Sequence, residues 1–301
     1  MNRDIVLAAK DGCRRSLART LSALENNTLD INDALSVLGE PSSDASQQSG
    51  WSIMAITGAP GVGKSCLVDK IISQWASQGM KIALLAVDPS SSRTGGALLG
   101  DRVRLSVVDD IMLKDMVYVR SVATRKSSSS VPAVVSDMAK LLLALGWNKV
   151  VIETVGAGQS EVRCAAIADR IVVVEGPARG DGIQAEKAGL LELADAVIVN
   201  KSDIVGARKH ADEIKESFEL GEGQSPPVLL TCALNGDGCQ FTSDVLLNLQ
   251  STGRSSKARW RERLLSGLEQ KILQNPHLED ILLSLASGSI ELDEAINKLN
   301  N

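Results

Sequence analysis

Six short apolar runs, each closed by a polar motif, constrain the fold of this chain more than any other feature. Residues 51–57 (WSIMAIT) run into a glycine-rich turn, and residues 81–87 (KIALLAV) end at Asp88 and Pro89. Residues 148–152 (NKVVI) end at Glu153 and Thr154; the others are 170–174 (RIVVV), 196–199 (AVIV) and 227–230 (PVLL). The runs are continuous, not alternating. A strand wetted on one face alternates apolar with polar residues, whereas a strand buried on both faces need not. Helix-length segments such as 65–78 and 131–145 lie between the runs. This alternation predicts an α/β, doubly wound, mostly parallel sheet with right-handed crossovers. The polar motif after each run then falls at the carboxyl end of a strand, the edge where open α/β sheets take ligands.

The motif after the first run is the most specific. Gly58, Ala59, Pro60, Gly61, Val62, Gly63, Lys64 and Ser65 spell G-x-x-x-x-G-K-[ST] between a strand and a helix, the pattern of a phosphate-binding P-loop. Glycines let backbone N–H groups turn inward on phosphate oxygens, and the helix opening at Lys64 adds its positive N-terminal dipole. Lys64 is expected to reach the β- and γ-phosphates, and the Ser65 hydroxyl to ligate Mg²⁺. The bland alternative is a glycine turn that ends in Lys-Ser by accident.

Asn200, Lys201, Ser202 and Asp203 follow the run AVIV and give N-K-x-D. An aspartate can accept from both the N1–H and the exocyclic amine of guanine, a pairing adenine cannot offer. Asn and Asp also favour plain helix starts, so the motif gains its meaning from the P-loop upstream; together they favour GTP over ATP. Thr231, Cys232, Ala233 and Leu234 follow a later run and read as the loop supporting the base. Three acids stand where Mg²⁺ would want them: Asp88 and Glu153 at strand ends, and Asp101 in the glycine-rich loop 93–102 (RTGGALLGDR). Each could instead be a helix cap or a surface charge.

The termini have a different texture. Leu17, Leu21 and Leu24 share one helical face within residues 4–38, and the polar stretch 40–50 (EPSSDASQQSG) reads as a linker. Trp260, Leu264, Leu268 and Ile272 recur every fourth residue within a charged helix, which Asn275-Pro276 breaks. The expected division is a helical N-terminal extension and linker (1–49), a nucleotide-binding domain (50–240) and a C-terminal helical extension (241–301) with a possible role in dimerisation. Net charge is −5 and aromatics are 2% of residues, which gives no basic field or stacking platform for nucleic acid. Cys13, Cys66, Cys164, Cys232 and Cys239 are scattered, and His210 and His277 are the only histidines. Reduced thiols in a cytoplasmic protein are the expectation, and a zinc site is not. The N-terminus shows no secretory pattern and no run reaches the length of a membrane span.

Residues 87–105 (VDPSSSRTGGALLGDRVRL), 151–162 (VIETVGAGQSEV) and 200–203 (NKSD) together resemble the MeaB/ArgK family of P-loop GTPases, G-protein chaperones of methylmalonyl-CoA mutase and related adenosylcobalamin-dependent acyl-CoA mutases. The resemblance covers roughly residues 10–240. It implies a P-loop NTPase of the SIMIBI type with helical N- and C-terminal extensions. It also implies a homodimer that hydrolyses GTP slowly, binds a mutase and gates loading and protection of the mutase cofactor. Residues 58–65, Cys66, Asn200, Lys201, Asp203, Cys232, Ala233 and Leu234 are then the nucleotide contacts. Residues 153–159 correspond to switch II, with Lys64, Asp101 and Gln159 as catalytic candidates. Residues 176–187 (GPARGDGIQAEK) correspond to a third switch, where Arg179, Asp181, Glu186 and Lys187 are candidate reporters. Two stretches depart from the family pattern: 124–134 (TRKSSSSVPAV) lacks a glycine pair, and Arg179 stands where a small residue is expected. Two other readings stay open, a metal-delivery maturation GTPase of the hydrogenase or urease type and a transport-system protein kinase. The scarcity of His and the lack of a Cys/His cluster count against the first, and no acceptor-binding signal marks the second.

Overall fold

The computed structural model describes residues 2–39, 50–89, 105–124, 131–154, 163, 167–177, 190–220, 224–253, 256–273 and 275–300. Its centre is a seven-stranded sheet, all parallel, in the order β3-β2-β4-β1-β5-β6-β7. The strands are β1 (Ile53–Thr57), β2 (Ile82–Pro89), β3 (Val117–Thr124), β4 (Lys149–Thr154), β5 (Arg170–Glu175), β6 (Ala196–Val199) and β7 (Val228–Leu230). Six of these match the apolar runs. β4 and β6 are buried at every position, as continuous runs require.

The unforeseen strand is β3. It lies at the sheet edge and, among the described residues, pairs only with β2, from Ile82↔Val117 to Pro89↔Thr124. Its sequence, VYVRSVAT, puts Arg120 and Ser121 inside the strand. Arg120 is tolerated because its guanidinium crosses to helix α2 (Arg14–Glu25), donating to Ser22 Oγ at 3.1 Å and to the Glu25 carboxylate at 2.5 Å.

Helices α1 (Asn2–Lys10), α2, α3 (Ile31–Leu38) and α5 (Val131–Ala144) cover one face, and α4 (Lys64–Ser77) another part of the sheet. Leu17, Leu21 and Leu24 are buried with Ala83, Leu85, Val150 and Ile152 of the strands. The intervening strand residues Ile82, Leu84 and Val151 point the other way, toward Leu67, Ile71 and Trp75 of α4. That reversal at each step is the period-two geometry of a strand. Helix α6 (Ala207–Glu219) covers β6 and β7 through Ala211, Ile214 and Phe218. Helix α7 (Cys239–Leu247) packs on α4, where the indoles of Trp51 and Trp75 donate to the carbonyls of Leu246 and Ser243.

Beyond it lie α8 (Ser256–Leu273), α9 (Leu278–Ala286) and α10 (Leu292–Asn300). One face of α8 is fastened to the sheet. Arg259 donates to the carbonyls of Asp169 and Leu193 and to the buried Asp195 carboxylate, Arg263 reaches Ala168 O at 3.2 Å, and Glu269 pairs with Arg163. The other face leaves Trp260 65% exposed, with Leu264 and Leu268 also outside. No helix among the described residues is long and apolar enough to cross a membrane.

Candidate functional site

Connections diverge around β1. Its chain leaves through α4 toward β2, while β5 returns on the opposite side. A crevice at the carboxyl end of the central strand is where such a sheet binds ligand, and the turn between β1 and α4 fills it. Gly58 has φ +142°, and a Cβ there would lie 1.9 Å from the Val174 carbonyl oxygen of β5. Gly63 caps α4 at φ +92°, where a Cβ would meet Asn200 Nδ2 at 2.5 Å. Both glycines are therefore required by close approach as well as by the left-handed backbone.

Lys64 opens the helix and is 8% exposed. Its Nζ donates to the carbonyls of Gly58 and Ala59 at 2.6 and 3.0 Å, so the cation is held over the loop. Ser65 Oγ donates to Glu153 Oε1 at 2.6 Å across the gap from α4 to the end of β4. Glu153 is buried with Thr154 beside it. A hydroxyl and a carboxylate converging beside a lysine are hard oxygen donors of the kind that suit Mg²⁺.

Asn200 joins this cradle to the other side of the crevice. Its Nδ2 donates to Val62 O at 2.9 Å, while its Oδ1 accepts from Ala233 N at 3.0 Å and Thr231 Oγ1 at 3.1 Å. Lys201, at φ +61°, reaches Gly61 O at 2.6 Å. Asp203 stays exposed and accepts from the Cys232 thiol at 3.1 Å; the Cys66 thiol lies 3.5 Å from Ala233 O. Leu234 is 86% exposed beside them. Burial pushes the neighbouring Cys239 thiol up, with smaller contributions from Cys66 and Cys232.

The structure thus brings together residues 58–66, Glu153, Asn200, Lys201, Asp203 and residues 232–234. Asp88 is fixed by register against Ala123 at the end of β2, and its side chain lies outside the described residues, as do Asp101, Gln159 and the reporters Arg179, Asp181, Glu186 and Lys187. Residues 155–159, 125–130 and 178–187 lie outside them as well. Thr231, expected in the loop supporting the base, steadies Asn200 through its hydroxyl. One buried acid escaped the sequence reading. Asp69, a buried acid one turn after Ser65, bonds Ser106 and Val107; an acid amid the apolar face of α4 was the available clue.

A P-loop on the central strand, joined through Asn200 to an N-K-x-D motif and its supporting loop, defines a P-loop GTPase, a guanine-nucleotide-binding enzyme. The sequence matches the family described as Methylmalonyl Co-A mutase-associated GTPase MeaB over residues 17–277, and the chain belongs to that family. Among its relatives, a protein of Pyrococcus abyssi named as a GTPase is 34% identical over 271 residues, 87% of this chain and 81% of that one. The fused isobutyryl-CoA mutase of Paraburkholderia xenovorans is 35% identical over 237 residues, 74% of this chain but 18% of the much longer relative. A solved structure described as LAO/AO transport system kinase shares the fold, with TM-score 0.64 at 19% identity over 99% of this chain and 96% of that one.

Proposed function

We propose that this chain binds GTP, hydrolyses it slowly and uses that cycle to assist cofactor loading and protection in an adenosylcobalamin-dependent acyl-CoA mutase. The observation that carries the reading is the relative named as a fused isobutyryl-CoA mutase, in which a segment similar to 74% of this chain is one part of a mutase polypeptide. Covalent union in one protein suggests functional union between separate chains. The family description points the same way. The metal-delivery alternative finds no group of three or more candidate ligands among the described residues.

In this reading the phosphates lie on backbone N–H groups of the loop 58–66, in which Pro60 has none to give, and Lys64 offsets charge on the β- and γ-phosphates. Mg²⁺, held by Ser65 and Glu153 and by Asp88 and Asp101, would neutralise charge building on the phosphate oxygens. Asp203 reads guanine, Ala233 and Leu234 flank the base, and Asp101 or Gln159 orients the attacking water. None of these is a strong base, which fits slow intrinsic turnover that a partner completes. The chain acts as a cytoplasmic homodimer through the outward face of α8, so light scattering should give twice the 31.9 kDa chain mass.

The test is complex formation on gel filtration with a purified methylmalonyl-CoA-mutase-type enzyme. Co-elution that changes between GDP and a non-hydrolysable GTP analogue is expected. Separate elution in every nucleotide state would sink the partner assignment.

A further inference from the structure

Three of the five cysteines, Cys66, Cys232 and Cys239, come together at one side of the nucleotide crevice. Cys66 lies in the first turn of α4, directly after Ser65, and its thiol donates to the Ala233 carbonyl at 3.5 Å. The Cys232 thiol donates to Asp203 Oδ1 at 3.1 Å, and the Cys239 thiol, at the start of α7, lies 3.9 Å from the Cys232 carbonyl oxygen. All three thiols therefore bear on residues 232–233, the loop that flanks the base in the reading above. Their sulfur atoms have no part in that scheme, and no group of three or more candidate metal ligands occurs among the described residues. The three differ in access. Cys232 and Cys239 are 3% and 1% exposed, and burial pushes the Cys239 thiol up. Thiols buried in that way are poor nucleophiles. Cys66 is exposed.

We infer that Cys66 is a thiol–disulfide exchange site, open to low-molecular-weight disulfides such as glutathione disulfide, and that its modification shuts guanine nucleotide out of the crevice. In the exchange the Cys66 thiol gives up its proton and its sulfur attacks one sulfur of the disulfide. The reagent's S–S bond breaks, and its second sulfur leaves with the electron pair and takes up a proton. The products are a mixed disulfide on Cys66 and one free thiol, and an added dithiol reverses the step. The position of the sulfur explains the consequence. It bridges the helix that carries Lys64 and Ser65 to the loop beside Asp203. A tripeptide fixed there fills the space between the phosphate cradle and the base loop, and it removes the S–H donor to Ala233. The loop has little freedom to step aside. The Ala233 N–H donates to Asn200 Oδ1 at 3.0 Å, and Asn200 in turn donates to Val62 O at 2.9 Å. Exclusion works in both directions, so a bound nucleotide must also cover Cys66.

The inference rests on the reading of this crevice as a guanine-nucleotide site. The experiment treats the full chain with glutathione disulfide, with and without GDP and Mg²⁺, as wild type, as Cys66→Ser, and as a double variant carrying Cys13→Ser and Cys164→Ser. Intact mass and peptide mapping locate the adduct, and GDP affinity is measured for each protein before and after treatment. We expect Cys66 to carry the adduct in wild type and in the double variant, at a rate at least about tenfold lower when GDP is bound. GDP affinity of the modified protein should fall by at least about tenfold and recover after dithiothreitol. In Cys66→Ser, treated and untreated protein should agree within about twofold, each variant being its own reference. A bond from Cys66 to Cys232 or Cys239 in place of the adduct supports the inference if GDP affinity falls, because the same thiol has exchanged. Should Cys66→Ser fail to fold, mapping, protection and affinity in the other two proteins decide the matter. The inference is overturned if Cys66 stays unmodified while the exposed Cys13 reacts, or if GDP does not slow the reaction at Cys66. It is equally overturned if fully modified protein keeps its GDP affinity within about twofold. An untreated wild-type chain that binds no GDP contradicts the guanine-site reading instead.

Discussion

A carboxylate can accept two hydrogen bonds from guanine at once, the role proposed for Asp203, whose carboxylate also accepts from the Cys232 thiol. Asp203→Asn keeps the shape but turns one acceptor into a donor. We expect GTP affinity to fall by at least about 100-fold while xanthosine triphosphate binds better, since its C2 carbonyl accepts from the new amide. Isothermal titration with both nucleotides checks this; unchanged GTP affinity would remove Asp203 from the base site. The cradle makes a second demand. Gly58→Ala drives a Cβ into the Val174 carbonyl, whereas Gly61 has nothing within 4 Å and only its φ of +77° to lose. Urea melts should show a cost of several kcal/mol at Gly58 and about 1 kcal/mol at Gly61; equal costs would contradict the close approach. The P-loop was legible in sequence because it is local: all its parts lie within residues 58–65. The role of Asn200 was only half legible. Its motif was visible, but its bond to Val62 spans 138 positions and exists only once β1 and β6 share a sheet.

At the scale of elements, the same contrast holds between β1 and β3. Strands buried on both faces announce themselves as unbroken aliphatic runs. β3, at the edge, carries Arg120 and Ser121, because α2 rather than a second strand lies beside it. Helix α8 was read as an amphipathic helix, but its attachment was not visible, since it depends on Asp195 just before β6. That carboxylate is fully buried and accepts from Ile171 N, Thr252 N and Arg259. Asp195→Ala leaves a buried guanidinium without its counter-charge and takes an acceptor from two backbone donors. We expect a loss of about 3–5 kcal/mol in denaturant unfolding. GDP affinity of the folded protein should persist, because Asp195 lies at the strand end opposite the P-loop. A loss under about 1 kcal/mol would mean that α8 is held by other contacts.

For the whole molecule, the arrangement separates two edges. The carboxyl ends of β1, β4, β6 and β7 gather the candidate nucleotide residues. Helix α8 presents an apolar face, with Trp260, Leu264 and Leu268 exposed. Arg259 ties α8 to Asp195 at the amino end of β6, and Glu269 of α8 pairs with Arg163. Such a body can couple nucleotide state to a partner without a strong catalytic base of its own, provided the partner supplies or orders what is missing. The most direct measurement is steady-state phosphate release from GTP with and without a saturating methylmalonyl-CoA-mutase-type enzyme. The account predicts slow release from the chain alone and a rise of at least about tenfold with the mutase, abolished by Lys64→Ala. A rate unchanged by the mutase, in a chain that hydrolyses GTP by itself, would contradict it.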